Sequence, residues 1–318
     1  MKKISVIVNP ISGTISKDNI SKLINRLLHP QTFQTEIFYT QCAGHASVLT
    51  QQALNKGVDY IVAAGGDGTV NEVARAMVHT SATLGIIPVG SGNGLARDLG
   101  IPMDIKKAIE LIAQAQYTQV IDYCKANEHI FFCTCGVGFD AVVSEKFSES
   151  KKRGSISYAK SAIAEYLKFK PDVYEITLDE GTTLKEEAFL ITCANASQYG
   201  NNAYIAPDAN NRDGLMDIVI VAPINPLDVG PLTIQLFTKQ IINNQRVSYY
   251  RSSKVTIKRN HPGPMHVDGE SLHAGTEILL KTIPAGLRVI APLKTNKQRT
   301  LQNQLENIHL FFREIFND

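Results

Sequence analysis

Apolar and polar residues follow two different rhythms along this 318-residue chain. From Ile4 to Val8 the run is short, apolar and β-branched, the pattern of a strand buried on both faces. After a polar turn, Ile20, Leu23, Ile24, Leu27 and Leu28 recur at helical spacing. The alternation continues: Phe33–Thr40 predicts a strand, His45–Lys56 a helix closed by Gly57, and Tyr60–Ala64 a strand running into Gly65-Gly66-Asp67-Gly68-Thr69. Thr83–Val89 predicts a further strand that ends in Gly90-Ser91-Gly92-Asn93-Gly94. A helix beginning Leu95-Ala96-Arg97 follows, then one with Ile105, Ile109 and Ile112 on a single face. Alternating β and α units predict a doubly wound α/β domain over residues 1–125, a parallel sheet covered by helices on both sides.

From about residue 126 strand-like runs separated by turns take over. They are Ile130–Cys135, Tyr174–Leu178, Ala188–Cys193, Asp217–Val221, Lys254–Lys258, Thr276–Lys281 and Leu287–Ile290, and they predict an antiparallel second domain over 126–294. Helical patterns interrupt it at Ile156–Phe169 and Leu227–Asn243. Leu301, Leu305, Ile308, Phe312 and Ile315 form one stripe, so a helix is expected over 295–318, folding back on the first domain.

Composition narrows the class. A hydrophobic share of 44% with scattered Gly and Pro excludes disorder and collagen-like repeats. A net charge of +2 gives no bulk electrostatic grip on nucleic acid. Ile4–Val8 is too short for the apolar part of an export signal, and Ile130–Val143 is broken by Gly136, Gly138 and Asp140, so no spanning helix is expected. Cys42, Cys124, Cys133, Cys135 and Cys193 form an odd set without C-x-x-C, which points to reduced thiols and a cytoplasmic location.

The clusters of Gly, Asn, Ser and Thr in the first half each follow a strand: Asn9-Pro10-Ile11-Ser12-Gly13, Thr40, Gly65–Thr69 and Gly90–Gly94. Parallel strands set all four on the carboxyl edge of the sheet, where ligands sit in open α/β folds. Any one of these loops is accounted for by ordinary turn chemistry; three dense loops in register point to a phosphate site. Ser12, Thr69 and Ser91 can add hydroxyl donors. No G-x-x-x-x-G-K-[ST] occurs, so this is not a P-loop ATPase. Gly136-Val137-Gly138-Phe139-Asp140-Ala141 matches G-x-G-x-x-A but lacks a βαβ setting and is read as a structural turn. Asp67 beside phosphates calls for a divalent cation, Mg²⁺, while a cap for the following helix, by Asp67 or Thr69, is compatible with that role.

Four segments taken in order, Asn9–Gly13, Gly65–Glu72, Pro88–Arg97 and Val267-Asp268-Gly269-Glu270, resemble the motifs of the diacylglycerol kinase catalytic-domain family in its bacterial lipid-kinase branch. The resemblance spans nearly the whole chain. It implies a nucleotide-binding α/β domain, a C-terminal β-sandwich domain for the lipid, and a cleft between them where ATP meets a lipid hydroxyl. Matching positions imply ATP contacts at Thr40, Gly65, Gly66, Asp67, Gly68, Thr69, Val70, Asn71 and Ser91, beside Asn9, Ser12, Gly13, Gly92 and Asn93 of the phosphate loops. They imply Glu270 as catalytic base with Asp67 in the reacting centre, Asp122 near the metal, and a structural Mg²⁺ held by Asn210, Asp213 and Leu215. For the last of these an Asp-Gly hairpin turn explains the residues equally well, and Asp268-Gly269 also reads as a tight turn with Glu270 beside its tip. A base role for Glu270 would gain from partial burial.

Gly94 stands where diacylglycerol kinases commonly carry Asp, so the acceptor lipid stays open between a diacylglycerol-like and a sphingoid alcohol. The expected partners are a lipid substrate at the inner membrane face and, in a homodimer, a second copy. Lys151-Lys152-Arg153 with the following helix, Lys168 and Lys170 is a candidate membrane contact, although a basic turn before a core helix is the commoner reason for such a run. Two other functional readings are carried: an NAD kinase-like phosphotransferase sharing Gly65–Thr69, and a nucleotide-binding regulator without catalysis.

Overall fold

The computed structural model describes residues 1–13, 17–149 and 165–292. The expected C-terminal helix, the Lys151–Arg153 turn and most of the expected helix over 156–169 lie outside these residues. The chain divides into two compact units, one formed by Met1–Asp122 and the strand end that begins at Pro284, the other by Tyr123–Ile283.

The first unit alternates β1 (Lys2–Val8), α1 (Lys17–Leu27), β2 (Phe33–Tyr39), α2 (His45–Asn55), β3 (Tyr60–Gly65), α3 (Asp67–Met77) and β4 (Thr83–Pro88). The short α4 (Gly94–Asp98), α5 (Ile105–Gln114) and β5 (Thr118–Ala126) follow. The strands pair in the order β2-β1-β3-β4, all parallel. The end of β16 (Glu277–Ile290) joins β4, also parallel, through Val289 and Leu84.

Residues of β1 that are two apart share a face, which is why Ile4, Val6 and Val8 meet Ile20 and Ile24 of α1, Leu28 just after it, and Ile109 and Ile112 of α5 in one core. Each such side chain contributes about 1.5–3 kcal/mol by leaving water. Helices α2 and α3 pack against each other and against β1 and β3. Asp104 starts α5 by accepting the Lys107 N–H at 2.9 Å. The chain goes from β1 outward to β2 and then back to β3 on the other side of β1. The turns after β1 and β3 therefore flank the point where strand order reverses.

The second unit is a sandwich of antiparallel sheets. Its further elements are β6 (His129–Phe131), β7 (Thr134–Gly138), α6 (Phe139–Glu149), β8 (Asp172–Leu178), β9 (Thr183–Ala188), β10 (Leu190–Ala194), β11 (Met216–Val221), α7 (Pro226–Thr238), β12 (Val247–Ser252), β13 (Lys254–Arg259), β14 (Gly263–Val267) and β15 (Glu270–Ala274). One sheet has the order β12-β11-β10-β7-β14-β15; in the other, β16 pairs with β13, β13 with β8, and β8 with β9. Val137, Ile191, Ile218 and Met265 of the first pack against Ile176, Val255, Ile257, Ile278 and Leu280 of the second.

Several expectations need correction. Ile130–Cys135 is not one strand: β6 ends at Phe131 and β7 begins at Thr134. Thr276–Lys281 and Leu287–Ile290 belong to the single strand β16, and its end from Pro284 lies in the first unit rather than in the second domain. The Leu227–Asn243 pattern is α7 followed by a separate 3-10 turn at Ile241–Asn243. The segment from Gly136 to Ala141 is the end of β7 and the start of α6, a helix the sequence reading missed.

Candidate functional site

The register brings the four predicted segments to one edge. Val8 stands opposite Tyr39 and Ala64, and Gly65 opposite Pro88, so the chain leaves the sheet at Asn9, Thr40, Gly66 and Val89 side by side. The Thr40 N–H still bonds Val8 O at 3.0 Å. Asn9 Nδ2 donates to Thr69 Oγ1 at 3.0 Å, which couples the first loop to the second, and Asn9 Oδ1 turns the loop by accepting the Ile11 N–H at 3.1 Å. Ser12 N–H closes back on Asn9 O at 3.3 Å.

The second and third loops touch through their backbones. A Cβ on Gly90 would lie 2.6 Å from Gly66 Cα, so only glycine allows this approach. Asp67 then locks the third loop: its Oδ2 accepts the Asn93 N–H at 2.8 Å and its Oδ1 the Gly94 N–H at 2.7 Å. Asp67 therefore caps α4 rather than its own helix α3, and neither it nor Thr69 serves as the cap expected there; the N-cap of α3 is Gly66, with no side-chain cap. The first turn of α3 keeps its dipole and backbone donors for an anion. Arg97 Nε holds Gly92 O at 2.9 Å from the far side, and Ser91 at the loop tip is exposed.

Two buried amides in this set have a polar atom without a partner among the described residues, Asn71 Nδ2 and Asn93 Oδ1. Asn93 takes a left-handed φ of 51° and donates to Gly90 O at 2.6 Å. Gly68 is exposed, whereas Thr69 and Val70 are buried. Glu72, in the same run, was given no role from sequence; its carboxylate accepts the Gly44 N–H at 2.8 Å and the Ala46 N–H at 3.0 Å. It caps α2 from another helix and so fixes the segment after Thr40. The signal was faint: α2 opens on Gly44, which has no side chain to cap with.

No group of three or more metal-ligating side chains occurs among the described residues. Asp67 offers one carboxylate with both oxygens already accepting N–H groups. A Mg²⁺ held here would take its other ligands from phosphate oxygens and water, as that ion commonly does. At the second candidate, Asp213 Oδ1 accepts the Leu215 N–H at 3.1 Å, Oδ2 pairs with Arg251, and Asn210 O accepts the Arg212 N–H at 2.8 Å. That arrangement matches the turn of the alternative reading, with the Asp213 charge met by a guanidinium. Asp217 behind it is fully buried; burial pushes its carboxyl up to about 6, against the pull of Tyr249 and Arg251. Asp122 is also buried and accepts the Ala285 N–H at 2.8 Å, where Ala285 has φ 53°.

In the second unit Glu270 opens β15 and is exposed, so the partial burial expected for it is not found. Asp268, read only as a turn residue, is the anchor of this hairpin. Its Oδ2 accepts the Phe132 N–H at 2.9 Å, and its Oδ1 accepts Cys133 and Thr134 at 2.8 and 3.0 Å. This pinning is what separates β6 from β7. Asp140, at the start of α6, accepts Thr192 Oγ1 at 2.9 Å and Tyr199 Oη at 3.2 Å and pairs with buried His266 at 3.0 Å, a structural role for the G-x-G-x-x-A segment.

A parallel α/β unit whose glycine loops meet beside an uncapped helix N-terminus offers backbone donors suited to a phosphate group. Comparison with known proteins agrees. Residues 3–126 match the diacylglycerol kinase catalytic domain and residues 133–291 the YegS C-terminal NAD kinase beta sandwich-like domain. A Pseudomonas putida relative named "Probable lipid kinase YegS-like" is 30% identical over 254 residues, covering 79% of this chain and 83% of its own. The Bacillus subtilis (strain 168) protein named diacylglycerol kinase is 29% identical over 276 residues, 85% of this chain and 90% of its own. A solved Bacillus anthracis str. Sterne structure assigned to the diacylglycerol kinases superposes with a TM-score of 0.75 at 26% identity, covering 92% of this chain and 99% of that one. The chain belongs to the diacylglycerol kinase and YegS lipid kinase family, and it is a kinase.

Proposed function

We propose that this kinase transfers the γ-phosphoryl group of ATP to the hydroxyl of a diacylglycerol-like or sphingoid lipid at the inner membrane face. The observation that carries the ATP half is the lock between Asp67 and the Asn93 and Gly94 N–H groups. It holds two glycine loops together beside the uncapped N-terminus of α3, leaving backbone donors for phosphate oxygens. Asp67 would be the side chain beside a Mg²⁺ that accompanied the triphosphate, and the ion would supply charge neutralisation there. Asn9, Ser12, Gly13, Thr40, Gly65–Asn71 and Ser91–Asn93 are the assigned nucleotide contacts.

The acceptor half rests on family membership and on Glu270. The lipid oxygen forms a bond to the γ-phosphorus, the bond from that phosphorus to the β-bridging oxygen breaks, and ADP leaves. The acceptor proton passes to the Glu270 carboxylate. An exposed carboxylate suits this if the lipid itself displaces water on binding.

Labelled ATP offered with dispersed diacylglycerol, a sphingoid base or NAD separates the readings. Label in a lipid product that disappears with Glu270→Gln, while ATP binding persists, supports the assignment. Label only in NADP would move the chain to the NAD kinase-like alternative, and ATP binding without any transfer to the regulator.

A further inference from the structure

Helix α7 is apolar nearly all round. Asp228 is the one charged residue among its 13, and it is tied into the capping box with Asn225 and to Arg246 Nε at 2.8 Å. One flank is spent on the core: Leu232 packs with Phe189, Ile205, Val219 and Ile241. Another flank carries Leu227, Gly230, Pro231 and Ile234, spaced i, i+3, i+4 and i+7, and all four are exposed. Leu227 keeps 86% of its surface in water and Ile234 47%. A surface helix ordinarily turns charge outward at such positions.

Leu167 is 80% exposed, in a segment tied by its neighbour Tyr166 to the chain just before this helix. Its neighbours Tyr166 and Phe169 rest on the same core cluster as Leu232, and Tyr166 Oη donates to Ile224 O at 3.3 Å, three residues before Leu227. Lys168 and Lys170 flank Phe169 in sequence and Lys239 is the C-cap of α7; all three are exposed. Lys168 pairs with Glu165 at 3.4 Å, and Lys239 at the end of α7 lies 4.3 Å over the Tyr204 ring. Arg246 thus meets the Asp228 charge, and Lys168 is already paired with Glu165, so Lys170 and Lys239 supply most of the positive charge here.

We propose that the Leu227–Ile234 flank of α7, with Leu167, docks the chain on the surface of a lipid bilayer carrying anionic headgroups. The apolar side chains enter the interface and the lysines meet the headgroups, the division of labour of an interfacial helix. The choice of partner rests on the lipid-kinase reading and deepens it: an enzyme whose acceptor lies in a bilayer must reach it there. A second copy of the chain is the weaker fit, because one short helix flank falls well below the roughly 800 Å² per partner that a standard interface buries.

The test is sedimentation of the full chain with vesicles of phosphatidylcholine and phosphatidylglycerol. Wild type is expected to pellet with them, Leu227→Glu/Ile234→Glu to lose binding about tenfold or more, and Lys168→Gln/Lys170→Gln/Lys239→Gln to lose the preference for the anionic lipid. The single variant Leu227→Gln, a milder change at an exposed site, should show an intermediate loss. Phosphorylation of a short-chain, water-dispersed diacylglycerol should be the same for wild type and the double glutamate variant. Equal vesicle binding by wild type and that variant overturns the proposal, as does a wild-type dimer that the variant splits, or a C-terminal segment that the variant exposes to protease. If vesicle binding behaves as expected while no lipid is phosphorylated, the surface stands and the kinase reading falls.

Discussion

Asp67 Oδ1 accepts the backbone N–H of Gly94 at 2.7 Å, so the first turn of α3 is tied to the first turn of α4 across 27 positions of sequence. Oδ2 does the same for Asn93, and a Cβ on Gly92 would strike that oxygen at 2.6 Å. The carboxylate is an internal strut of the phosphate loops. Asp67→Ala leaves two N–H groups of buried residues without their acceptor, a loss on the order of 2–4 kcal/mol. Thermal melting should register that loss, and calorimetric titration should find ATP binding weakened at least tenfold. Unchanged ATP affinity would detach the strut from the nucleotide site.

Gly90→Ala separates the site from the fold. Its Cβ must displace Gly66 by a few tenths of an ångström or more, because 2.6 Å is too short for two carbons. The strain falls on two surface loops rather than on the core. ATP binding should fall while the melting temperature drops little, and a parallel titration and melt check this.

The first unit was legible because each of its levels says the same thing: β-branched runs, helical stripes and glycine turns alternate, and parallel connection leaves one edge for the turns. That edge could be read from Asn9, Thr40, Gly65 and Gly90 alone. The partners of Asp67 and Glu72 could not, since each carboxylate bonds backbone N–H groups 26 or more positions away, and any residue has an N–H. The second unit was read as antiparallel, but short strands such as Glu270–Ala274 and Thr183–Ala188 escaped because they carry few apolar residues. The Leu227–Asn243 pattern predicts a helix but not the exposed apolar flank of α7, periodicity being blind to which side the protein leaves uncovered.

Thiol chemistry offers a check on the packing. Cys42 is exposed, whereas Cys124, Cys133, Cys135 and Cys193 are buried. Burial pushes the Cys193 thiol up to about 12 and the Cys135 thiol well above its ordinary value. An aromatic disulfide reagent at pH 8 should titrate one thiol per native chain and five after denaturation. Fast reaction at more than one native thiol would contradict the packed sandwich core.

Asp179 supplies a pH signature. The Ser253 hydroxyl at 2.6 Å and its N–H at 2.8 Å, with Ser252, hold this carboxyl down at about 2. A depressed value means the ionised form is favoured by the fold. Its contribution is full above about pH 4, the ordinary carboxylate range, and is lost as pH falls through 2. Because Asp179 is exposed, the effect on stability is small. Carboxyl NMR titration should give the low value in wild type and a return toward the ordinary range in Ser253→Ala.

Asp268 and Glu270 should separate by kind of effect. Asp268 takes the N–H groups of Phe132, Cys133 and Thr134, and its own N–H donates to Thr134 O at 2.7 Å, so it fixes the hairpin from which Glu270 projects. Asp268→Ala removes three bonds to a charged acceptor and should cost about 3 kcal/mol. Asp268→Asn, which tolerates the φ of 51° there, should cost less. On the proposed mechanism both lower kcat with the KM for ATP nearly unchanged, since they disturb the base and not the phosphate loops. Glu270→Gln lowers kcat further without any loss of stability. Adding Asp268→Asn to Glu270→Gln should then reduce turnover little more, because the hairpin would be holding a group that no longer accepts a proton. Additive losses in that double-variant cycle would show that Asp268 acts on the reaction by some route other than Glu270.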